Sequence, residues 1–235
     1  MQSLFGEGLI LITGASGGIG SATVARLSNQ HILFGVDRQD PPADWRGHFL
    51  KISLNSAAAI QTVASKLDQI CLPVDAAVFA AGTYLRIPIE QYDFNKLSEL
   101  LWDNFISTFL LVRELLPRMK ERRVGRLVII SSQAAFGGGF DPAYAASKGA
   151  LQSLMKSVAR EYGRFGIRCN AVSPGPVTSK MSDVMSEDRK EYYRRSIPIG
   201  RLLSVEEVAE AVCFLLSSDG INGATIDVDG GLLRR

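Results

Sequence analysis

Tyr144 and Lys148 stand four residues apart in the stretch Tyr144-Ala145-Ala146-Ser147-Lys148. On a helix this spacing puts the phenol and the ammonium one turn apart on the same face. A free tyrosine keeps its proton until pH ~10 and is a poor base at neutrality. A fixed positive charge about 4 Å away, at an effective dielectric near 20, favours the phenolate by ~4 kcal/mol. That is about three pKa units, and it predicts a tyrosine titrating near pH ~7. Such a group takes a proton from a secondary alcohol or gives one to a ketone. The same spacing also suits an exposed lysine stem lying over a ring, so the chemistry depends on a redox partner elsewhere in the chain.

The amino-terminal end offers one. Leu9 to Ile12 is an unbroken apolar run, the pattern of a strand buried on both faces. It enters Thr13-Gly14-Ala15-Ser16-Gly17-Gly18-Ile19-Gly20 and then a helical pattern with Ala22, Val24, Ala25 and Leu27. Glycines let a backbone approach a pyrophosphate, and the helix start supplies unpaired N–H groups and a positive dipole end. Gly14, Ser16, Gly17, Gly18, Ile19 and Gly20 are therefore candidate dinucleotide contacts, although the spacing is Gly-x-x-x-Gly-x-Gly and not Gly-x-Gly-x-x-Gly. The next strand, His31 to Val36, leads to Asp37, 17 residues after Gly20. A carboxylate there binds the adenosine ribose hydroxyls and repels the extra phosphate of NADP. Gly17 brings no cation to that phosphate, while Arg38 has the reach to meet it. NAD is the expected cofactor, with NADP left open.

The remaining elements must position these groups. Asp40-Pro41-Pro42 excludes a helix, so the crossover to a third strand at Phe49 to Ile52 is abbreviated. A helix over Ala57 to Leu67 precedes a strand over Asp75 to Phe79, which ends in the small residues Ala80-Ala81-Gly82. Leu97, Leu100, Leu101, Phe105, Phe109, Val112, Leu115, Leu116 and Met119 recur at helical spacing. Their face is broad enough to predict self-association as well as a core side. Asn104 lies within this helix as either a satisfied structural amide or a site residue. Leu127 to Ile130 delivers Ser131-Ser132, and a helix from about 141 to 165 carries Tyr144 and Lys148. Arg168 to Val172 ends in Ser173-Pro174-Gly175-Pro176. The polar segment 177–200 reads as a flexible cover. Ser204 and Glu207 form a capping box for the last helix, and Thr225 to Val228 is a seventh strand. The alternation predicts an α/β fold, a Rossmann-type three-layer doubly wound domain over residues 1–235 with a seven-stranded parallel sheet.

Composition narrows the function. With 26 basic and 24 acidic residues, net charge +2, and no block of like charge, neither nucleic acid nor a membrane surface is the expected partner. Arg122-Arg123 and Arg234-Arg235 read as solvated faces. Cys71, Cys169 and Cys213 form neither a ligand set nor a disulfide framework, and His31 and His48 lack metal-type spacing. The first eight residues lack the features of a signal peptide, and no apolar run approaches the ~20 residues of a membrane span. A cytoplasmic protein acting on a small molecule is expected.

With these residues placed, the chain resembles a short-chain dehydrogenase/reductase along nearly its whole length. The carrying motifs are Thr13 to Gly20, Asn104, Ser132 with Tyr144 and Lys148, Pro174-Gly175, and Val228 to Gly231. The resemblance implies Tyr144 as general acid/base, with Lys148 lowering its pKa and holding the nicotinamide ribose. It implies Ser132, not the adjacent Ser131, on the substrate oxygen, and Asn104 supporting a water chain. It also places Val177 against the carboxamide and implies dimers or tetramers formed through two long helices. Ala80-Ala81-Gly82 departs from the family's usual Asn-Ala-Gly, and Ser53, followed by Leu54, stands where an aspartate usually faces the adenine. The short crossover after Asp37 resembles dehydrogenases of dihydroxy-cyclohexadiene carboxylates. Two further readings stand beside an NAD-dependent alcohol dehydrogenase or ketone reductase. One is an NADPH-dependent 3-oxoacyl carrier-protein reductase; the other is a catalytically idle nucleotide-sensing regulator. For the substrate, Arg86, Arg189, Arg194 and Arg195 are candidates to meet an anion, and Tyr84, Tyr192 and Tyr193 to line a pocket, although solvation and packing explain them equally well.

Overall fold

The apolar run from Leu9 extends through Thr13 as β1 (Leu9–Thr13), with every residue buried. In chain order there follow α1 (Gly18–Leu27), β2 (Ile32–Asp37), β3 (His48–Lys51), α2 (Ala57–Ile70), β4 (Val74–Phe79), α3 (Phe94–Leu101) and α4 (Ser107–Arg122). The second half comprises β5 (Gly125–Ile130), α5 (Ala134–Gly137), α6 (Pro142–Tyr162), β6 (Ile167–Pro174), α7 (Lys180–Asp183), α8 (Glu187–Ser196), α9 (Val205–Ser217) and β7 (Thr225–Val228). The computed structural model describes residues 8–183 and 185–232. The predicted solvated pair Arg234-Arg235 and most of the first eight residues lie outside them.

All seven strands are parallel, in the order β3-β2-β1-β4-β5-β6-β7. Alternate residues of each strand serve opposite helical layers, which is why the runs read as continuously apolar. Leu9, Leu11, Ala77 and Ile129 pack against Ile60 and Val63 of α2, Leu111 and Leu115 of α4, and Leu151 and Met155 of α6. Ile10, Ile12, Val78 and Val128 pack against Val24 and Leu27 of α1 and Val208 and Val212 of α9.

Strand order reverses at β1, whose neighbours are β2 and β4. Crossovers on either side of such a point leave the sheet in opposite directions and open a crevice at the strands' carboxyl ends. The backbone there is tightly drawn. Gly14 has φ +67°, and a Cβ on it would lie 2.7 Å from the Ala81 nitrogen. A Cβ on Gly20 would lie 2.0 Å from the Gly14 carbonyl oxygen. These two glycines are required by the fold itself. His31 and His48 sit at the amino ends of β2 and β3, the opposite edge from this crevice.

Three expectations change. The long apolar segment is not one regular helix: Trp102–Ile106 forms a π-helical turn between α3 and α4, where the Ser107 amide reaches back to the Trp102 carbonyl. The polar segment 177–200 is largely helical, because Ser186 caps α8 and acids fill its first turn while Arg194 and Arg195 fill its last. Arg122 is no mere solvated charge; it pairs with Asp75, which is 1% exposed and also accepts the Gly8 amide at 3.1 Å. Among the described residues no helix is long and apolar enough to cross a membrane, and no cluster of His, Cys, Asp and Glu fits a metal ion.

Candidate active site

The helix start that carries the tyrosine is strongly specified. Asp141 caps α6 by accepting the Tyr144 amide at 2.9 Å, and Pro142 occupies the first turn, where no N–H is missed. One turn on, Lys148 is 5% exposed and its Nζ donates to the Ile130 carbonyl at 2.9 Å, tying α6 to the carboxyl end of β5. Ser131 and Ser132 follow that strand and diverge. Ser131 Oγ donates to the Lys148 carbonyl at 3.1 Å and accepts Gln152 Nε2 at 2.9 Å, so it is a buried bracket between β5 and α6. Ser132 instead hydrogen-bonds the Tyr144 hydroxyl.

The electrostatics differ from the sequence expectation. The Lys148 ammonium lies 5.7 Å from the Tyr144 ring centroid, bonded to a carbonyl and not to the phenol. Part of the Tyr144 side chain reaches the surface, but its hydroxyl end is enclosed. Burial pushes the phenol up to about 12, helped by Tyr84 and Asp141 and opposed by the Ser132 hydrogen bond. Burial likewise brings the Lys148 ammonium down to about 8. The expectation of a phenol near pH ~7 is therefore corrected: the phenol loses water, neglected in a two-charge estimate, while the ammonium is spent on the Ile130 carbonyl.

Asn104 is fully buried in the π turn. Its Oδ1 accepts the Thr83 amide at 2.6 Å, and its Nδ2 donates to the Thr83 carbonyl at 3.0 Å and to Ser147 Oγ at 3.1 Å. The amide is thus spent on pinning the loop after β4 against α6. Gly82, in that loop, passes so close that a Cβ would stand 3.0 Å from Asn104 Oδ1 and 3.4 Å from Lys148 Nζ. Ala81 and Ala80 donate to Thr13 Oγ1 and its carbonyl, which closes the loop onto the glycine turn.

Across the crevice, Gly17 precedes α1 with no side-chain cap and no acid in the first turn. A Cβ at Gly17 would meet only the Gly14 carbonyl at 3.1 Å and otherwise fill open space. This uncapped start fits a phosphate. Asp37 ends β2 beside it, where Oδ2 accepts the Ser16 amide at 3.0 Å and Oδ1 the Gln39 amide at 2.9 Å. Ser16 Oγ is directed to the Asp40 carbonyl at 2.9 Å, and Ile19, partly buried, packs on the α1/α9 core. Arg38 lies near enough to Asp103 to oppose the burial that holds that carboxyl above its usual range. Ser53 and Leu54 follow β3, and the Leu54 carbonyl accepts the Trp102 indole at 2.8 Å. Pro174 ends β6, and a Cβ on Gly175 would lie 2.9 Å from the Asp229 Cα. Val177 bridges to Leu203 through the flanking Pro176 carbonyl and Thr178 amide, so its own N–H and carbonyl face away from that pairing. These donors and surfaces together fit a dinucleotide.

Sequence reasoning missed one neighbour, Asp141, and left Tyr84 as a residue to line a pocket or simply pack. Asp141 is 0% exposed and accepts from the Tyr144 amide, the Arg86 amide at 2.9 Å and the Tyr92 hydroxyl at 2.7 Å. The Asp-Pro pair signalled a helix start but not this convergence. Tyr84 stacks on Tyr144 with ring centroids 4.7 Å apart.

Known proteins resemble this chain in sequence and in fold. Residues 14–233 match the family model described as Enoyl-(Acyl carrier protein) reductase. The chain is 35% identical to a 3-oxoacyl-[acyl-carrier-protein] reductase of Rickettsia felis, covering 95% of both chains. It is 34% identical to an uncharacterized oxidoreductase of Bacillus subtilis, covering 94% of this chain and 97% of the other. The crystal structure of a short chain dehydrogenase family protein from Francisella tularensis superposes with a TM-score of 0.87 at 26% identity, covering 97% of this chain and 99% of that one.

Proposed function

Because this chain belongs to the short-chain dehydrogenase/reductase family, we propose that it transfers a hydride between NAD and a secondary alcohol or ketone of a small metabolite, with Tyr144 as general acid/base. The observation that carries the reading is the convergence of Ser132, Tyr144, Lys148 and Asn104 at the carboxyl ends of β4 and β5, across from an uncapped glycine turn.

When bound, the nicotinamide supplies hydride chemistry: it takes the carbinol hydrogen with its electron pair, or returns both to a ketone. Gly14, Ser16, Gly17, Gly18, Ile19 and Gly20 would hold the pyrophosphate, and Asp37 the adenosine ribose. Ser53, Leu54, Ala80, Ala81 and Gly82 would border the adenosine half. Lys148, Pro174, Gly175 and the Val177 backbone would border the nicotinamide half. In oxidation Tyr144 takes the hydroxyl proton as the carbon loses its hydride, and a ketone results. In reduction it gives that proton back. Ser132 would donate to the same substrate oxygen, and its hydrogen bond to the Tyr144 hydroxyl lowers the phenol's hold on its proton. Asn104 acts by fixing the loop that carries Gly82.

A phenol held near 12 is already the protonated donor at neutral pH. Reduction is therefore expected to be flat from pH ~6 to ~9, whereas oxidation, which needs the phenolate, climbs over the same range. An oxidation rate that falls across that range would remove Tyr144 from the role of base.

NAD is favoured by Asp37, whose carboxylate stands beside the turn. The likeness to the Rickettsia felis enzyme favours the second reading, an NADPH-dependent 3-oxoacyl carrier-protein reductase. Titrating both cofactors against protein fluorescence separates them: NAD at least ten-fold tighter is expected, and tighter NADP selects the second reading. Full turnover by Tyr144→Phe would turn the assignment toward a nucleotide-sensing regulator. The exposed Phe94 and Phe109 of α3 and α4 support a homodimer or homotetramer through that layer.

A further inference from the structure

The residues that the sequence set near the cover separate in the structure. Arg194 and Arg195 pair with Glu191 at 3.3 and 2.9 Å, and the Arg189 guanidinium carbon lies 3.7 Å from the Phe140 ring centroid. Tyr192 is exposed and meets Tyr193 edge-on, with ring centroids 5.6 Å apart. Tyr84 goes to the reacting group. Its ring lies on that of Tyr144, the centroids 4.7 Å apart and the planes tilted by 41°.

The loop after β4 holds Tyr84 there from both ends. Asn104 fixes the preceding residue, Thr83, by accepting its amide at 2.6 Å and donating to its carbonyl at 3.0 Å. Asp141 fixes the following stretch: Oδ2 accepts the Arg86 amide at 2.9 Å, and Oδ1 accepts the Tyr92 hydroxyl at 2.7 Å. Arg86 takes φ +60° at this bend, a conformation uncommon for a residue with a side chain. Between the anchors Leu85 is 40% exposed, whereas Tyr84 turns in and is partly buried. Its ring is also met by the Arg86 guanidinium carbon at 5.0 Å, and Arg86 is engaged beyond that contact. Asp141 Oδ1 accepts the Tyr144 amide as well, so one buried carboxylate sets the two tyrosines against each other.

A helix restricts χ1 of a tyrosine, but rotation of its ring about χ2 is soft. The α6 backbone alone therefore leaves the direction of the phenol open. Ser132 meets its hydroxyl, Lys148 Nζ stands 5.7 Å from its centroid, and Tyr84 lies against the ring itself. We propose that Tyr84 is a positioning residue for this reaction: its ring, pinned through Asn104 and Asp141, holds the Tyr144 phenol toward the substrate oxygen and keeps water from it. This rests on the reading of Tyr144 as the acid/base group and deepens it. A phenol free to swing loses the alignment that proton transfer needs, and a wetted one ionises earlier. The groups that bear on Tyr144 are Ser132, Tyr84, Asp141 and Lys148; from α8, Arg189 and Tyr193 bear on Tyr84.

The test compares Tyr84→Phe, which keeps the ring, with Tyr84→Leu and Tyr84→Ala, which remove it. Tyrosine isotopically labelled at Cζ is followed by NMR with NADH added, and the Tyr144 signal is identified by its loss in Tyr144→Phe. That signal should begin to titrate about one pH unit lower in Tyr84→Ala than in wild type, less so in Tyr84→Leu. Turnover is measured with NAD on 2-butanol, cyclohexanol, 1-phenylethanol and 3-hydroxybutyrate. On those oxidised, Tyr84→Ala should lower kcat about 10–100-fold with KM and NAD affinity within a few-fold. The pH profile of oxidation should move down with the NMR signal, and Tyr84→Phe should recover most of both. Should Tyr84→Ala not fold, Tyr84→Leu carries the comparison. If the Tyr144 signal of the ring-deleted variant titrates with wild type, or if its kcat holds, the proposal falls. If the signal moves as expected while wild type oxidises none of these alcohols or of a wider panel, Tyr84 still sets the phenol and the oxidoreductase reading fails instead.

Discussion

The two banks of the crevice achieve order by different means. On the β1/α1 side the arrangement is made of backbone: Gly14 in a left-handed conformation, an uncapped helix start, and Asp37 fixed by two amides. On the β5/α6 side it is made of buried side chains: Ser131, Gln152, Lys148 and Asn104 each satisfy a specific partner. A backbone bank is governed by sterics. A side-chain bank is governed by desolvation, which pushes the Tyr144 phenol up to about 12 and brings the Lys148 ammonium down to about 8. In the proposed reaction the first holds a ligand that is the same in every turnover, and the second changes protonation during one.

The contrast can be broken most severely at Tyr144. Tyr144→Phe removes the proton carrier and should lower kcat by about 10³–10⁴-fold with NAD affinity unchanged within a few-fold, as read by stopped-flow and fluorescence titration. Comparable loss of NAD binding would show that the banks are not separable. Next in size, Gly14→Ala forces a Cβ into the Ala81 nitrogen at a positive φ and should cost about 3 kcal/mol, lowering Tm by roughly 10 °C. An unaltered melting curve would mean the turn has slack.

The adjacent serines sharpen the comparison within one bank. Ser132→Ala should lower kcat about 10²-fold and leave Tm alone. Ser131→Ala strands the Gln152 amide and should cost about 2 kcal/mol while kcat holds. A swapped pattern would reverse their assignments. The smallest effect is in pH. The folded-state pKa of Lys148, about 8, lies below the ordinary value of 10.5, so between these the unfolded chain holds more protons and stability rises with pH. Wild type should gain about 2 kcal/mol on Lys148→Met between pH ~8 and ~9.5, by chemical denaturation. No relative gain would mean the ammonium is better solvated than its burial implies.

Most of the architecture was legible because two-sided burial writes itself into a sequence as apolar runs, and because glycine and proline punctuate them. The placement of Tyr144 and Lys148 followed from spacing along one helix, and the choice of Ser132 over Ser131 from the family resemblance. What stayed illegible depends on partners distant in sequence. The charge on Lys148 was taken as a neighbour to the phenol, yet a carbonyl from β5 claims it. Asp141 gathers donors from residues 86 and 92, which no local pattern joins to it. The α8 helix was missed because its residues are polar all round, and it is laced by i,i+3 and i,i+4 ion pairs in place of an apolar stripe. The π turn escaped because one additional residue barely disturbs the apolar recurrence on either side of it.

That additional residue constrains how the gene can change. Deleting any one codon from 102–106 would restore an ordinary ladder between α3 and α4, which favours the helix taken alone. The flanks would keep their faces, so Leu100, Leu111 and Leu115 would stay in the interior. What would be lost is the widened turn that holds Asn104 on Thr83 and Ser147. Single-residue deletions in this window should accordingly survive selection for folded protein and be absent from a library selected for activity.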